Sequence, residues 1–342
     1  MALQSSGAIS YSDIKDEFGE PNDKNIGAYR VSKNIGELSS LPLDTGIPQG
    51  TSPISFSDFY GKQLNIVVDF HSGGTVTRQN ARTQYNNNNV TVIGGFRSKP
   101  AVNSTGWQGG KKVIIHVNKL IGSVVHNSNN TRVALRTGAW QSGTDLVIDV
   151  GGEGRIWGAG GKGGDGGNNQ AGGETGKTGT SALGIEYGGG TVINIANQGE
   201  IHRGFGGGGG GGGGHQSDKG SRRYASGGGG GGGQGYPGGP HGDRGNSSGA
   251  YGGNGTDGSI SAAGNGGNGS NNGGEAEGGG GGEGGWTGDT TADKGGNGED
   301  GGGGNGGGNG AAIRRTSGIS LSSITMNNTN RIDGATNQTG VS

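Results

Sequence analysis

The sequence predicts a mainly β protein in four stretches. These are a short N-terminal docking module (1–62), a β-sandwich or solenoid-like β region (63–150), a glycine-rich polyglycine II helix bundle (151–310) and closing C-terminal strands (311–342). Three observations carry this reading. β-branched runs begin at Leu64, a strand-and-turn motif recurs along the chain, and glycine supplies 92 of 342 residues, most of them between Gly151 and Gly310. Glycine has no side chain to bury and the most backbone entropy to lose, so such a stretch cannot build an ordinary apolar core. It is either disordered or packed through its backbone.

The N-terminal module contains two similar segments, Ile9-Ser10-Tyr11-Ser12-Asp13-Ile14 and Ile54-Ser55-Phe56-Ser57-Asp58-Phe59. Each reads as an apolar residue entering a helix start. Ser10 or Ser12, and Ser55 or Ser57, are placed to cap, and Asp13 and Asp58 fall in a first turn where the helix dipole favours negative charge. Ile9, Tyr11, Ile14, Ile54, Phe56, Phe59 and Tyr60 are the docking candidates of this module. Between the two segments, Leu41-Pro42-Leu43-Asp44-Thr45-Gly46-Ile47-Pro48 is a turn-rich connector.

Strand signals follow at Leu64–Phe70, Val90–Ile93 and Val113–Val117, separated by Asn-rich and Gly-rich turns. A strand, a turn and one more apolar residue then recur in Val113–Gly122, Val147–Gly158 and Val192–Ile201, with a further copy in Ile324–Gly334. Irregularly spaced copies of one unit suit successive rungs of a solenoid. The last copy lies beyond the main glycine tract, so the chain is expected to leave the β layer and return to close it.

Glycine blocks alternate with polar or aromatic inserts at Asn168–Tyr187, His215–Ser226, Tyr236–Tyr251, Ser270–Glu277 and Trp286–Lys294. Collagen needs strict glycine at every third position and abundant proline, whereas here glycines run consecutively and only Pro237 and Pro240 intervene. Polyglycine II fits instead. At about 3.1 Å per residue a block of about nine residues spans about 28 Å, and neighbouring backbones can exchange hydrogen bonds where no Cβ intervenes.

Several function classes are excluded or unsupported. With 26 basic and 27 acidic residues, there is no electrostatic footprint for nucleic acid or an anionic membrane. No cysteine is available for disulfides or thiolate metal sites, no stretch approaches a membrane span, and the N-terminus lacks a signal-peptide pattern. The expectation is a product made soluble in a cytoplasm, without membrane insertion.

Gly158-Ala159-Gly160-Gly161-Lys162-Gly163 and Ala171–Thr178 imitate dinucleotide and phosphate loops but lack the following helix that would hold a phosphate. Gly160–Asp165, Gly252–Asp257 and Gly295–Asp300 match the start of a calcium β-roll repeat, yet the apolar eighth position is Gly167, Ser259 or Gly302. The histidines at 71, 116, 126, 202, 215 and 241 show no nucleophile or metal spacing, and His116 reads as a strand residue. Glu275 with Glu277, and Glu299 with Asp300, read as solubilising charges. No catalytic, cofactor-binding or metal-binding set is predicted, and the chain reads as a non-enzyme.

The inserts have the composition of binding loops. His215, Arg222, Arg223 and Tyr224 fall in one, Tyr236, His241, Arg244 and Tyr251 in the next and Trp286 in the last, all among glycine and serine. Aromatics supply contact area at low entropic cost while small residues adapt. The same residues could instead cap the ends of glycine helices.

The β rungs, long glycine runs with polar inserts, and the closing strand near Asn330-Arg331-Ile332-Asp333-Gly334-Ala335 together resemble the glycine-rich adhesins at the tips of T-even-type phage long tail fibres. Leu41–Pro48 with Ile54–Lys62 is similar to N-terminal modules of structural proteins from marine and cyanobacterial myoviruses. The resemblance implies a virion protein of the phage tail, a tail-fibre or baseplate-associated adhesin. Its N-terminal segment would dock on another tail-fibre or baseplate subunit, and its loops would contact a bacterial surface receptor, either an outer-membrane protein or a polysaccharide. The alternatives are a connector or decoration protein packed against other virion subunits, or a calcium-binding β-roll, which the missing repeat geometry disfavours.

Overall fold

A computed structural model describes residues 3–71, 73–104, 107, 110–125, 130–218, 221–248, 250–272 and 276–342; His126 and Glu275 lie outside them. At its centre is a β solenoid in which each rung gives one strand to each of three sheets. The first rung is Asn65–Phe70, Val76–Thr77 and Gln79–Asn80, and the second is Lys112–Val117, Leu120–Gly122 and Val133–Arg136. Asp145–Val150, Arg155–Trp157 and Ser181–Ile185 make the third, and Thr191–Ile195, Glu200–His202 and Ile313–Arg315 the fourth. Ile324–Met326, Ile332–Asp333 and Gln338–Thr339 complete the fifth.

Parallel, in-register pairing places like side chains over one another. Val68, Ile115, Ile148, Ile193 and Met326 form one row. Val76, Ile121, Ile156, Ile201 and Ile332 form a second, and Leu135, Leu183 and Ile313 a third. These rows face one another and make the apolar core, the use β-branched residues find on a pleated surface. The recurring motif is therefore the first and second strands of each rung. The third strand went unread because its first and last copies, Gln79–Asn80 and Gln338–Thr339, carry no apolar residue.

The solenoid also runs through stretches that the sequence drew as separate domains. Strands between Ser181 and His202 lie inside 151–310, because glycine inserts leave between the second and third strands of rungs three and four. The region 63–150 is the start of the solenoid and not a sandwich. The residues 311–342 supply the third strand of rung four and all of rung five.

The N-terminal module plugs the solenoid's opening edge. Helix Tyr11–Phe18 begins at Ser10, whose hydroxyl accepts the Asp13 N–H at 3.2 Å while Asp13 accepts the Ser10 N–H at 2.8 Å. The second segment forms a 3-10 turn, Phe56–Phe59, with Asp58 accepting the Ser55 N–H at 2.7 Å. Ile14, Phe18, Tyr29, Leu43 and Phe59 are fully buried and continuous with the solenoid core. Glu17 pairs with Lys111, neither side chain being exposed, and accepts the Leu64 N–H at 2.7 Å. Leaving either charge alone there would cost about 3 to 5 kcal/mol.

Two of the docking candidates are consequently internal. Ile14 and Phe59 are 0% exposed because the helix and the turn direct them into the shared core. Ile9, Tyr11 and Ile54 are half-buried against it, the Tyr60 hydroxyl donates to the Gly7 carbonyl, and Phe56 remains 42% exposed. No helix among the described residues is long and apolar enough to cross a membrane.

The first insert contributes glycine segments 158–167 and 171–180. The second contributes 204–213, 226–235, 238–245, 252–259, 263–270, 278–285, 290–298 and 301–310. Two inserts named from the sequence are thus more than loops, since Asn168–Tyr187 includes segment 171–180 and Tyr236–Tyr251 includes 238–245. None of these glycines has a φ in the left-handed range. Their backbones are extended and bonded laterally, with a repeat of three residues.

Segment 204–213 shows the repeat most clearly. Gly207, Gly210 and Gly213 donate to the 171–180 segment, Gly208 and Gly211 to 226–235, and Gly209 and Gly212 to 290–298, all at 2.8 to 3.0 Å. Its carbonyls accept from 158–167, 278–285 and 301–310. The segment therefore has six neighbours, three as acceptors and three as donors, as in a polyglycine II lattice. A Cβ on any residue from Gly206 to Gly213 would lie 1.8 to 2.2 Å from a neighbour's carbonyl oxygen. Unbroken glycine is required where a segment is surrounded, whereas segment 238–245 needs it at Gly238, Gly239, Gly242 and Gly245 and carries larger residues between them.

Candidate functional site

Successive glycine segments run out from the solenoid and back, so the connections fall at two ends. At the far end lie 168–170, the hairpin Gly214–Asp218 with Ser221–Ala225, the hairpin Asn246–Ser247 with Ala250–Tyr251, the hairpin Asn271–Asn272 with Ala276–Glu277, and 299–300. At the solenoid end lie the turns at 236–237, 260–262 and 286–289. The far loops bond to one another. Asn169 N–H donates to Ser247 Oγ at 2.7 Å, Asn272 Nδ2 to the Tyr224 carbonyl at 3.1 Å, and His215 N–H to Asp300 at 2.9 Å.

Serines at the borders of the glycine blocks do most of this framing. Ser226 Oγ donates to the Ala250 carbonyl at 2.7 Å, Ser247 Oγ to the Ala225 carbonyl at 3.1 Å, and Ser226 N–H to Ser270 Oγ at 2.7 Å. Each bond stands in for a glycine contact where the lattice ends, and together they hold the hairpins side by side. The sequence reading overlooked these serines. Their signal was position, a small hydroxyl residue at a glycine-run boundary.

The binding candidates separate into three places. His215, Arg222, Arg223, Tyr224 and Tyr251 lie in the far hairpins, and Arg244 enters that end with its guanidinium 5.0 Å from the centre of the Tyr251 ring. Tyr251 is 53% exposed, Arg222, Arg223 and Arg244 are exposed, and His215 packs at 4.9 Å on Tyr224. His241 lies along the side of the body, where its backbone N–H and Nδ1 contact Asp257 Oδ1 at 2.9 and 2.5 Å. Those bonds hold the Asp257 carboxyl below its ordinary range.

Tyr236 and Trp286 belong to the solenoid end. The Tyr236 carbonyl accepts the Ser123 N–H at 3.1 Å, and its ring covers Gly122, where a Cβ would come within 2.4 Å. Trp286 is 40% exposed, and the following Thr287 N–H bonds Gln234 Oε1 at 2.8 Å. These two aromatics are separated from the far hairpins by the length of the glycine segments. Sequence adjacency had grouped Tyr236 with Tyr251; the intervening segment 238–245 places them at opposite ends.

The far end is a display surface of hydrogen-bonded loops, and no described residues form a group of three or more His, Cys, Asp or Glu placed to hold a metal ion. A solenoid stem, a backbone-bonded body and a set of framed loops together make a protein that displays its loops at one end. The family model described as phage tail fibre adhesin Gp38 matches residues 76–340, well over half of the chain, and the chain belongs to that family. It is a tail fibre adhesin, a host-binding component of the virion tail. Among solved structures, the gp37-gp38 adhesin tip complex of the bacteriophage S16 long tail fibre is 20% identical over 97% of this chain and 99% of that chain, with a TM-score of 0.36. No curated protein matches.

Proposed function

We propose that the far hairpins make the host contact, with Arg222, Arg223, Tyr224, Arg244 and Tyr251 as its centre, and that the N-terminal module joins the chain to another tail-fibre or baseplate subunit. The observation that carries the first part is the convergence of all the far loops on one end of a rigid lattice, with an exposed tyrosine and arginines among them. The second part rests on the family match starting at residue 76, beyond the module, and on Phe56 standing 42% exposed there. The chain acts as a binding protein and not as an enzyme. Its receptor is a molecule of the bacterial surface.

Phage carrying Arg222→Ala, Arg223→Ala, Tyr224→Ala and Tyr251→Ala together should adsorb about tenfold more slowly or worse, since central aromatic and arginine residues dominate interfaces. Trp286→Ala, at the other end, should leave adsorption unchanged. Equal adsorption by the quadruple variant, with its thermal unfolding intact, refutes the assignment. Phe56→Asp should reduce incorporation of the chain into particles, and full incorporation would refute the docking role.

A further inference from the structure

The glycine body repeats one reactive dipeptide. Asn-Gly occurs in its segments at Asn254, Asn265, Asn268, Asn297, Asn305 and Asn309, and again at Asn272, whose following glycine lies outside the described residues. A glycine carries no Cβ to shield the preceding side chain, so its nitrogen reaches the carbon of an Asn carboxamide more freely than that of any other residue. The six pairs in the segments fall into two sets.

In three of them both reacting groups are held. Asn254 Oδ1 accepts the Arg244 N–H, Asn297 Oδ1 the Gly303 N–H and Asn309 Oδ1 the Gly206 N–H, each at 3.0 Å. The glycines that follow donate within the body, Gly255 to the Gly242 carbonyl at 3.3 Å, and Gly298 to Gly301 and Gly310 to Gly204 at 2.8 Å. In the other three neither group is held: the side chains of Asn265, Asn268 and Asn305 and the N–H groups of Gly266, Gly269 and Gly306 have no hydrogen-bond partner among the described residues. Exposure does not separate the sets, since Asn254 and Asn297 are exposed, as are Asn265, Asn268 and Asn305. Bonding does.

We propose that Asn265, Asn268 and Asn305 are sites of spontaneous conversion to aspartate and isoaspartate, and that the lattice protects Asn254, Asn297 and Asn309. The glycine nitrogen, its proton passed to a solvent base, attacks Asn Cγ. The N–Cγ bond forms, the Cγ–Nδ2 bond breaks, and ammonia leaves with a proton taken from water, closing a five-membered succinimide. Water then opens one ring carbonyl or the other, giving aspartate or isoaspartate. Attack requires the Asn–Gly peptide to turn out of its extended setting, and a held pair must first break both its side-chain and its backbone bond. Two bonds of ordinary net strength slow the reaction about tenfold or more.

Isoaspartate adds a methylene to the main chain of a lattice that counts residues in threes. At Asn305 the added length falls just before Gly307 and Gly310, which donate to Gly207 and Gly204 of the central segment at 2.8 Å, and at Asn265 it falls before Gly267, which donates to Gly229 at 2.8 Å. Age therefore loosens the body from two edge segments, 263–270 and 301–310.

The full chain is incubated at mildly alkaline pH, folded and in strong denaturant, and followed by peptide mapping with isoaspartyl methyltransferase labelling. In the folded chain Asn265, Asn268 and Asn305 should convert about tenfold or more faster than Asn254, Asn297 and Asn309, and in denaturant all six should convert at similar rates. Amide exchange at Gly307 and Gly310 should accelerate in incubated protein and stay slow in Asn305→Gln treated alike, since the longer side chain does not close the five-membered ring. Equal rates at all six sites of the folded chain, no conversion at the three open sites, or the same division persisting in denaturant overturns the proposal.

Discussion

The solenoid stacks parallel strands and the glycine body packs segments of both directions, and the two are held together by opposite means. In the solenoid, rows such as Val68, Ile115, Ile148, Ile193 and Met326 bury side chains between sheets whose strands hydrogen-bond to their neighbours within each sheet. In the body, Gly206 to Gly213 bury backbone against backbone, and each residue is specified by the absence of a Cβ. The first region tolerates substitutions that keep volume and fails when volume is lost. The second fails when volume is added at a surrounded position, because the space is already occupied by carbonyl oxygen. Together they teach that a low apolar content need not mean disorder when hydrogen bonds run in every lateral direction.

The largest effect is expected in the solenoid. Ile148→Ala removes a fully buried side chain from the middle of a row and should cost about 4 kcal/mol, measured by denaturant unfolding of the whole chain. A loss below about 1 kcal/mol would mean that the rows do not carry the core. Gly210→Ala comes next, at about 3 kcal/mol, since its Cβ would stand 2.0 Å from the Asp165 carbonyl oxygen. Amide exchange should accelerate in the glycine segments before it does in rungs one to three, and the comparison breaks if Gly210→Ala unfolds like the parent.

Gly302→Ala sharpens the contrast, because nothing lies within 4 Å of its missing Cβ. The change should lie between neutral and a gain of about 0.5 kcal/mol, from the reduced freedom of the unfolded chain. The smallest effect concerns the junction of the two regions, where Trp157 stacks on His202 at 4.1 Å and His202 Nε2 lies 2.9 Å from Asp333 Oδ2. Burial pushes the Asp333 carboxyl up, but the His202 bond and the charges of His202 and Arg203 outweigh it and leave the group below its ordinary value. A lowered folded-state pKa gives stability that is complete above the unfolded value and is lost as pH falls through the folded one. Asp333→Asn should therefore flatten part of the acid side of the stability profile and change little near neutrality; an identical acid profile would remove Asp333 from the junction.

Much of the fold was legible locally. The β-branched runs at Asn65–Phe70, Lys112–Val117, Asp145–Val150 and Thr191–Ile195 declared first-sheet strands, and Ser10 with Asp13 declared a helix start. Gln79–Asn80 and Gln338–Thr339 were not legible as strands, because neither carries an apolar signal and both exist through pairing to a preceding rung. Of the candidate contact residues, those in the hairpins at 214–225 and 246–251 could be found as polar interruptions of glycine. The position of Tyr236 and Trp286 at the solenoid end could not, since it depends on how many times the chain reverses.

Residue by residue, the chain alone determined which segments could exist. Only glycine can fill the surrounded positions of the lattice, and only the β-branched rows can make the core. Tertiary structure decided where the segments go: that the inserts leave between the second and third strands of rungs three and four, that Ile14 and Phe59 turn into a shared core, and that the hairpins at 214–225 and 246–251 lie side by side. The physical reason is that glycine carries no positional label. Any glycine segment can pack against any other, so the order of neighbours is set by the turns, the border serines and the solenoid rungs to which both ends are tied.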